Sequence, residues 1–153
     1  MKPNAFTLDH TAVVIPASSL PAPKISYDVG KQVWRLEETY SYTDSGHVIT
    51  IAAPFDFDLA SIPRALWWLI APFELSIAAP MIHDFLYQHK GSPPPGSIVP
   101  PITYSRKKAD ELFRHLMKLE GIAAWRRRLA YRAVRLFGWY AWGGEVPASH
   151  RLV

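Results

Sequence analysis

The sequence predicts an α+β protein, in which a small N-terminal antiparallel β-sheet is followed by three packed α-helices. Three observations predict this class. Residues 25–55 alternate between apolar and polar side chains, as strands with one buried face do. Three later stretches, at about residues 80–90, 105–120 and 123–140, have apolar side chains at helical spacing. Proline, glycine and serine cluster at residues 91–104 and predict a loop between the first two helices.

Length and composition indicate one folded domain covering residues 1–153. Of these residues 49% are hydrophobic and 20% are charged, which argues against disorder. The chain has no cysteine, so a disulfide-stapled scaffold and a thiolate metal site are excluded. No signal peptide and no apolar stretch of the roughly 20 residues needed to span a bilayer is visible. We therefore expect a soluble protein.

Charge is distributed unevenly along the chain. Residues 1–104 carry 6 Lys and Arg against 9 Asp and Glu, whereas residues 105–153 carry 11 against 4. A basic C-terminal third favours an anionic partner, such as nucleic acid, a membrane surface or an acidic subunit.

Residues 1–24 form a proline-rich arm, with one short strand predicted at Thr11–Ile15. Such an arm either lies along a partner or is a poorly ordered terminus, and both interpretations remain open.

The β part is predicted over residues 25–57. Gln32–Leu36 and Tyr40–Tyr42 alternate in polarity, Asp44–Gly46 is a turn signal, and His47–Ala52 is the returning strand of a hairpin or meander. The strands should end near Pro54, and Phe55–Arg64 should be irregular. Two adjacent tryptophans follow, Trp67 and Trp68. They are interpreted either as core residues or as an interfacial anchor.

The first two helices carry the candidate site. Pro80 and Gly91 suit the start and the end of the first helix, and Ser105 and Gly121 suit the N-cap and the end of the second. In the second helix one apolar stripe is expected to face the core, and Asp110 should lie half-buried on its shoulder. This stripe consists of Ala109, Leu112, Phe113, Leu116 and Met117.

In the first helix His83 and Tyr87 share one face because they are four residues apart, and Asp84 points to an adjacent face. We expect the two helices to lie roughly antiparallel with His83 and Asp110 facing, so that Asp110 can accept a hydrogen bond from one ring nitrogen of His83. The other nitrogen is then free to take a proton from water. Asp84 remains available for a hard cation, which prefers oxygen ligands.

The pattern His83-Asp84-Phe85-Leu86-Tyr87, followed by Asp110, resembles the His-Asp-x-x-Tyr … Asp signature of phospholipase A2, especially the cysteine-free domain of parvovirus capsid proteins. The resemblance implies that His83 is the general base for water and that Asp110 orients it, with Tyr87 supporting the pair. It also implies that Asp84 binds Ca²⁺ and that the substrate is a lipid or another ester.

A broader pattern covers about Val48–Gly138. It consists of Asp58-x-x-Ser61-Ile62-Pro63-Arg64, Ile82-His83-Asp84-x-Leu86-Tyr87, Ala109-Asp110-x-x-Phe113 and Tyr131-x-Ala133-Val134-x-x-Phe137-Gly138. This order resembles a small family of bacteriophage and prophage proteins, the domain of unknown function number 1353. The resemblance implies a phage origin, in a virion or the host cytoplasm, and no particular activity.

Two functional classes therefore remain open. In the first, the protein is a hydrolase that uses His83 and Asp110, with Asp58, Ser61 and Arg64 supporting the site. In the second, it is a phage structural or accessory protein whose His-Asp pair is architectural. Asp58 and Ser61 would then form a turn or a cap.

The third helix should place one apolar side against the core and an arginine-rich side outward. The apolar side would contain Ile122, Trp125, Leu129, Ala133, Leu136, Phe137 and Tyr140. Arg127, Arg128 and Arg135 would project away and bind the phosphates of an anionic partner, or else form a solvated charged face. In the structural class, this helix and the proline-rich arm bind other phage proteins. No specific nucleic-acid motif is present.

Overall fold

Short strands and three helices make up the computed structural model, which describes residues 20–58 and 77–143. The predicted α+β class is confirmed, with β-structure before the three helices. The strands form two three-stranded antiparallel sheets, with strand orders β1-β2-β5 and β3-β4-β6. The strands are β1 (Ile25–Asp28), β2 (Val33–Leu36), β3 (Tyr40–Asp44), β4 (His47–Ile51), β5 (Phe55–Phe57) and β6 (Ile98–Val99).

The turn between β3 and β4 has the predicted position and a tight geometry. Asp44 pairs with His47, so only two residues close the hairpin. The two loop residues have positive φ, 49° at Ser45 and 87° at Gly46. Two positive φ values in a two-residue loop indicate a type I′ turn, whose twist matches that of paired strands.

Two segments expected to lack regular structure contain strands. Phe55–Phe57 forms β5 and pairs with β2, where Arg35 and Asp56 make a bidentate ion pair. The 91–104 loop contributes β6, and it buries Ile98 and Tyr104 against the core. The expectation that residues 55–57 are irregular was therefore wrong, and the predicted 91–104 loop contains a short strand and contributes to the core. Isolated apolar residues among prolines are too few to show a strand by alternation.

The helices are α1 (Ala78–Gln88), α2 (Arg106–Leu119) and α3 (Ala124–Gly143). The predicted limits of α2 are confirmed: the Ser105 hydroxyl accepts a hydrogen bond from the Lys108 amide, at 3.2 Å. Gly121 has a φ of 79°, and the Ile122 amide donates to the Met117 carbonyl at 3.0 Å. This closure is a Schellman motif, in which a left-handed glycine ends a helix.

Helix α1 is central to the core, since every residue from Ala78 to Tyr87 is buried. It ends in the same kind of motif, with φ of 50° at Lys90 and 75° at Gly91. The Gly91 amide donates to the Leu86 carbonyl at 2.8 Å, and the Gly91 carbonyl accepts from Tyr104 at 2.9 Å. The first bond closes the end of α1, and the second holds the start of the 91–104 loop against its end.

The predicted apolar stripe of α2 is confirmed, because all five of its residues are buried. Helix α3 differs from the prediction. Its buried residues are Ala130, Ala133, Val134 and Gly138. Five residues expected to face the core are exposed instead: Trp125, Leu129, Leu136, Phe137 and Tyr140.

Small side chains and one charged residue explain why α3 turns a different side toward the core from the one predicted. Gly138 lies so close to Tyr87 that an added Cβ would come within 2.5 Å of the tyrosine oxygen, so a larger residue would not fit there. Arg135 faces inward and pairs with the buried Asp110. An unpaired buried carboxylate is more costly than exposed apolar surface, so this pairing decides which side of α3 faces the core.

The described end of the N-terminal arm packs on its own domain. Leu20 is buried, and the Tyr40 hydroxyl donates to the Pro21 carbonyl at 2.9 Å. In the described part of the chain, no helix is long and apolar enough to cross a membrane. The predictions for Thr11–Ile15, for Trp67 and Trp68, and for Ser61 and Arg64 lie outside the described residues.

Candidate functional site

Helices α1 and α2 pack antiparallel, as predicted. The Ala79 amide near the start of α1 donates to Oε1 of Glu120 at the end of α2, at 3.1 Å. Later in α1, His83 meets Asp110, which lies near the start of α2. The antiparallel direction of the two helices therefore brings the imidazole of α1 and the carboxylate of α2 together.

His83 and Asp110 form a direct hydrogen bond inside the protein. Nε2 of His83 lies 2.9 Å from Oδ1 of Asp110, and neither side chain is exposed to solvent. The imidazole is stacked between aromatic rings, with centroids 4.1 Å from Tyr87 and 4.6 Å from Phe113. Asp110 is thus fully buried, and the prediction of a half-buried carboxylate was wrong, because α3 covers the shoulder of α2.

Both oxygens of Asp110 are occupied. The Tyr87 hydroxyl donates to Oδ1 at 2.6 Å, and Nη1 of Arg135 donates to Oδ2 at 2.8 Å. Arg106 adds a second guanidinium, with Nη1 3.8 Å from Oδ2. One carboxylate therefore joins α1 through His83 and Tyr87, and α3 through Arg135. We call these four side chains, His83, Tyr87, Asp110 and Arg135, the Asp110 network.

The electrostatics of the network favour an ionised Asp110 and a neutral His83. Burial would raise the pKa of Asp110, but hydrogen bonds from His83, Tyr87 and Arg135 outweigh it and hold this pKa below its ordinary value. Burial lowers the pKa of His83, although Asp110 opposes the shift. Burial, together with Asp110, raises the pKa of the Tyr87 hydroxyl. The ionised carboxylate accepts, so Nε2 of His83 carries the hydrogen and Nδ1 is the basic nitrogen.

The sequence prediction assigned Arg135 to an outward anion-binding face with Arg127 and Arg128. That placement was wrong for Arg135, whose guanidinium is bound to Asp110. Arg127 donates to the Ile122 carbonyl at the start of α3. Arg128 is exposed.

The structure places the other predicted site residues as follows. The Tyr87 hydroxyl binds the same carboxylate oxygen of Asp110 as His83. Asp84 is buried on α1, and Asp58 is exposed directly after β5. Ser61 and Arg64, the other expected supporting residues, fall in the segment between the two described parts of the chain.

Two contributors were not predicted from the sequence. Nη1 of Arg106 donates to the carbonyls of Val134 and Arg135, each at 3.2 Å, and so fixes α3 next to Asp110. Its position four residues before Asp110 was the available signal. Glu120 is buried and binds the first turn of α1, which has no acidic residue of its own. A glutamate at a helix end gives no sequence signal for this long-range contact.

The Ca²⁺ ion implied by the phospholipase resemblance stays a prediction. Within residues 20–58 and 77–143, no group of three His, Asp or Glu side chains is placed to hold a metal ion. The sequence has no glycine between Gly46 and Gly91, where the phospholipase family has its glycine-rich calcium loop before the His-Asp helix.

The fold and the site define a small α+β domain whose three helices are joined through one buried carboxylate. Residues 34–134 match the family described as "Protein of unknown function (DUF1353)", and the chain belongs to this family. The match runs from β2 into α3 and includes His83, Tyr87 and Asp110. No curated protein and no solved structure matches the chain.

Acid should weaken the fold through His83. Its pKa is lowered in the folded state, whereas an unfolded histidine titrates near pH 6.5. As pH falls below about 6.5, the unfolded chain therefore binds a proton that the folded protein excludes, and stability drops by at most about 1.4 kcal/mol per pH unit. Asp110 adds a loss in the same direction at lower pH, because its folded pKa is also lowered.

Urea unfolding of the wild type and of His83→Gln between pH 7.5 and pH 5 measures this effect, with the pH range set around the histidine pKa of about 6.5. The slope of unfolding free energy against pH should be shallower in His83→Gln. His115→Gln, at an exposed histidine on α2, is the control and should keep the wild-type slope. Equal slopes in all three proteins would contradict a neutral, buried His83.

Proposed function

We propose that this protein is a non-catalytic structural or accessory protein that acts by binding, and that the Asp110 network holds its helices together. One observation carries the proposal: the His83 ring is enclosed, and both oxygens of its partner Asp110 are already bound by other groups. The phage setting implied by the sequence resemblance, in a virion or in the host cytoplasm, is part of this proposal.

General-base catalysis makes two demands that this network meets poorly. The base must reach a water molecule, yet the exposed fraction of the His83 side chain is 0%. The carboxylate partner must also stabilise the imidazolium that forms. Here Arg135 neutralises Asp110 at 2.8 Å, and burial lowers the pKa of His83, so a protonated ring is disfavoured.

Binding requires a surface, and α3 supplies the largest exposed apolar one in the described part of the chain. Six of the ten large hydrophobic residues that are exposed there belong to this helix. The described end of the arm is held on the β part of the same domain by the buried Leu20 and by the hydrogen bond from Tyr40 to the Pro21 carbonyl. We therefore assign the contact surface to α3, with other phage proteins or an anionic membrane surface as the candidate partners.

A phospholipase-like hydrolase is the second candidate, and one observation favours it. His83 and Tyr87 both bind Oδ1 of Asp110, in the roles that the phospholipase A2 resemblance implies for these residues. In such an enzyme Nδ1 of His83 would take a proton from water as the water oxygen attacks the carbonyl of a lipid or another ester. The tetrahedral intermediate would then break its C–O bond to the alcohol, which leaves with the proton returned from Nδ1.

One assay separates the two candidates. Wild type, His83→Gln and the exposed-site control His115→Gln are incubated with a chromogenic ester and with phospholipid vesicles, with and without Ca²⁺. We expect all three to match the buffer blank. A wild-type activity that falls by roughly 100-fold or more in folded His83→Gln, and persists in His115→Gln, would establish the hydrolase instead.

A further inference from the structure

The outer side of α3 has an unusual composition for a solvent-facing helix. Its large apolar side chains are exposed by 37% to 66%. We call this surface the α3 outer face; its apolar residues are Trp125, Leu129, Leu136, Phe137, Trp139 and Tyr140. A solvated helix normally presents polar residues on this side, so the composition points to an apolar partner.

Helical geometry places four of these six residues in one stripe with basic edges. At about 100° per residue, Trp125, Leu136, Leu129 and Tyr140 fall within roughly 60° of one another. Arg128 and Arg132 lie along one edge of this stripe, and Arg126 lies along the other. With 20 residues, α3 is about 30 Å long, so the stripe extends over several turns.

The charge of this helix has one sign. Helix α3 contains five arginines and no aspartate or glutamate. Two of the arginines bind groups of the protein itself, Arg135 the carboxylate of Asp110 and Arg127 the Ile122 carbonyl. The other three, Arg126, Arg128 and Arg132, make no ion pair with a carboxylate of the described residues.

These features together match the interface of a lipid bilayer. Amphipathic helices that lie in the bilayer surface combine apolar and aromatic side chains on one face with Lys or Arg at its borders. Tryptophan and tyrosine favour the headgroup level, and long arginine side chains reach phosphates while their stems remain in apolar surroundings. The five arginines of α3 oppose its insertion across the bilayer, so α3 would lie along the bilayer surface.

Other occupants fit the face less well. In a two-fold contact with a second copy, the arginine edges of one α3 would meet those of the other, and like charges disfavour such an interface. Nucleic acid would satisfy the arginines and stack on aromatic rings, but it offers no apolar interior for Leu129 and Leu136. An anionic bilayer satisfies both the charge and the apolar stripe.

We infer that the α3 outer face binds an anionic lipid bilayer, with α3 lying in the plane of its surface. This inference rests on the proposed function, in which α3 is the contact surface. It adds the chemistry of the partner: acidic headgroups for Arg126, Arg128 and Arg132, and acyl chains for the apolar stripe.

Vesicle co-sedimentation tests the inference with full-length protein. Phosphatidylcholine vesicles with and without phosphatidylglycerol serve as the probes, at low and at high salt. Binding should require phosphatidylglycerol and should weaken with salt. Each arginine near an anionic surface contributes roughly a factor of 5 in affinity, so Arg128→Gln/Arg132→Gln should bind roughly 30-fold more weakly.

Matched controls distinguish binding through the α3 outer face from a general effect of charge or hydrophobicity. Lys107→Gln/Lys118→Gln removes the same charge from exposed positions on α2, and it should bind like the wild type within about threefold. Leu136→Ser should lose binding, whereas Val29→Ser, at a residue that is 79% exposed outside α3, should not. Circular dichroism confirms that each variant is folded.

Three outcomes would overturn the inference. The first is an absence of binding to phosphatidylglycerol vesicles by the folded wild type. The second is equal weakening by the α2 and the α3 variants. The third is self-association or oligonucleotide binding that requires Arg128 and Arg132 in the absence of vesicle binding. The proposed function is decided separately, by His83-dependent hydrolysis, so the failure of either idea can be distinguished from failure of the other.

Discussion

Replacing Asp110 with alanine should lower the free energy of unfolding by about 3–5 kcal/mol, because two buried groups and one partly buried cation lose the acceptor that they share. The side chains of His83 and Tyr87 are enclosed, so water cannot replace the lost acceptor. The guanidinium of Arg135 loses its counter-ion, and the 30% exposure of this side chain lets water compensate only in part. Urea unfolding followed by circular dichroism measures the change.

Two further variants test whether the loss of stability is specific to the carboxylate of Asp110. Asp110→Asn retains an acceptor oxygen but loses the charge, so it should be destabilised less than Asp110→Ala. Glu111→Ala removes the neighbouring carboxylate, which is exposed and lies 3.9 Å from Lys107, and it should change stability by no more than about 0.5 kcal/mol. If Asp110→Ala were as stable as Glu111→Ala, Asp110 would not be the residue that joins the three helices.

Replacing Gly91 with alanine should cost about 3 kcal/mol or more, because strain and overlap add together. Its φ of 75° is already unfavourable for an L side chain. An added Cβ would also lie 1.7 Å from the Tyr104 carbonyl oxygen, which is backbone and cannot rotate away. To make room, the 91–104 loop must separate from the end of α1 and lose the bond between Tyr104 and Gly91.

Gly96→Ala is the matched control for this effect. Gly96 lies in the same loop and has a φ of 87°, but nothing lies within 4 Å of a Cβ added there. It should therefore show only the backbone strain of about 1 kcal/mol. The difference between the two variants, measured by thermal or urea unfolding, reports the close approach of the two loop ends. Equal losses would mean that the loop adapts without cost.

The candidate site was predictable where it depended on spacing along one helix. His83 and Tyr87 are four residues apart, and Asp110 lies beside the apolar stripe of α2, so periodicity alone oriented these side chains toward each other. The end of α2 was equally local, because Gly121 closes it through bonds to the preceding turn. Such features depend on residues close in sequence, and their patterns are therefore visible in it.

The orientation of α3 was not predictable in the same way. Its apolar residues are spread around the helix, so no single stripe defines the inward side. The deciding contacts lie far away in sequence, between Arg135 and Asp110 and between Gly138 and Tyr87. Periodicity favoured the large apolar residues, but the pairing of a buried charge and the close packing of a glycine outweighed them.

Local sequence patterns were enough to predict the α+β class, the limits of α2, the β3–β4 turn and the meeting of His83 with Asp110. The enclosure of Asp110, its pairing with Arg135 and the outward aromatic and arginine side chains of α3 became visible only in the folded protein. This difference follows from the range of the interactions. Capping and helical periodicity act within a few residues, whereas desolvation and charge pairing depend on every element packed around a group.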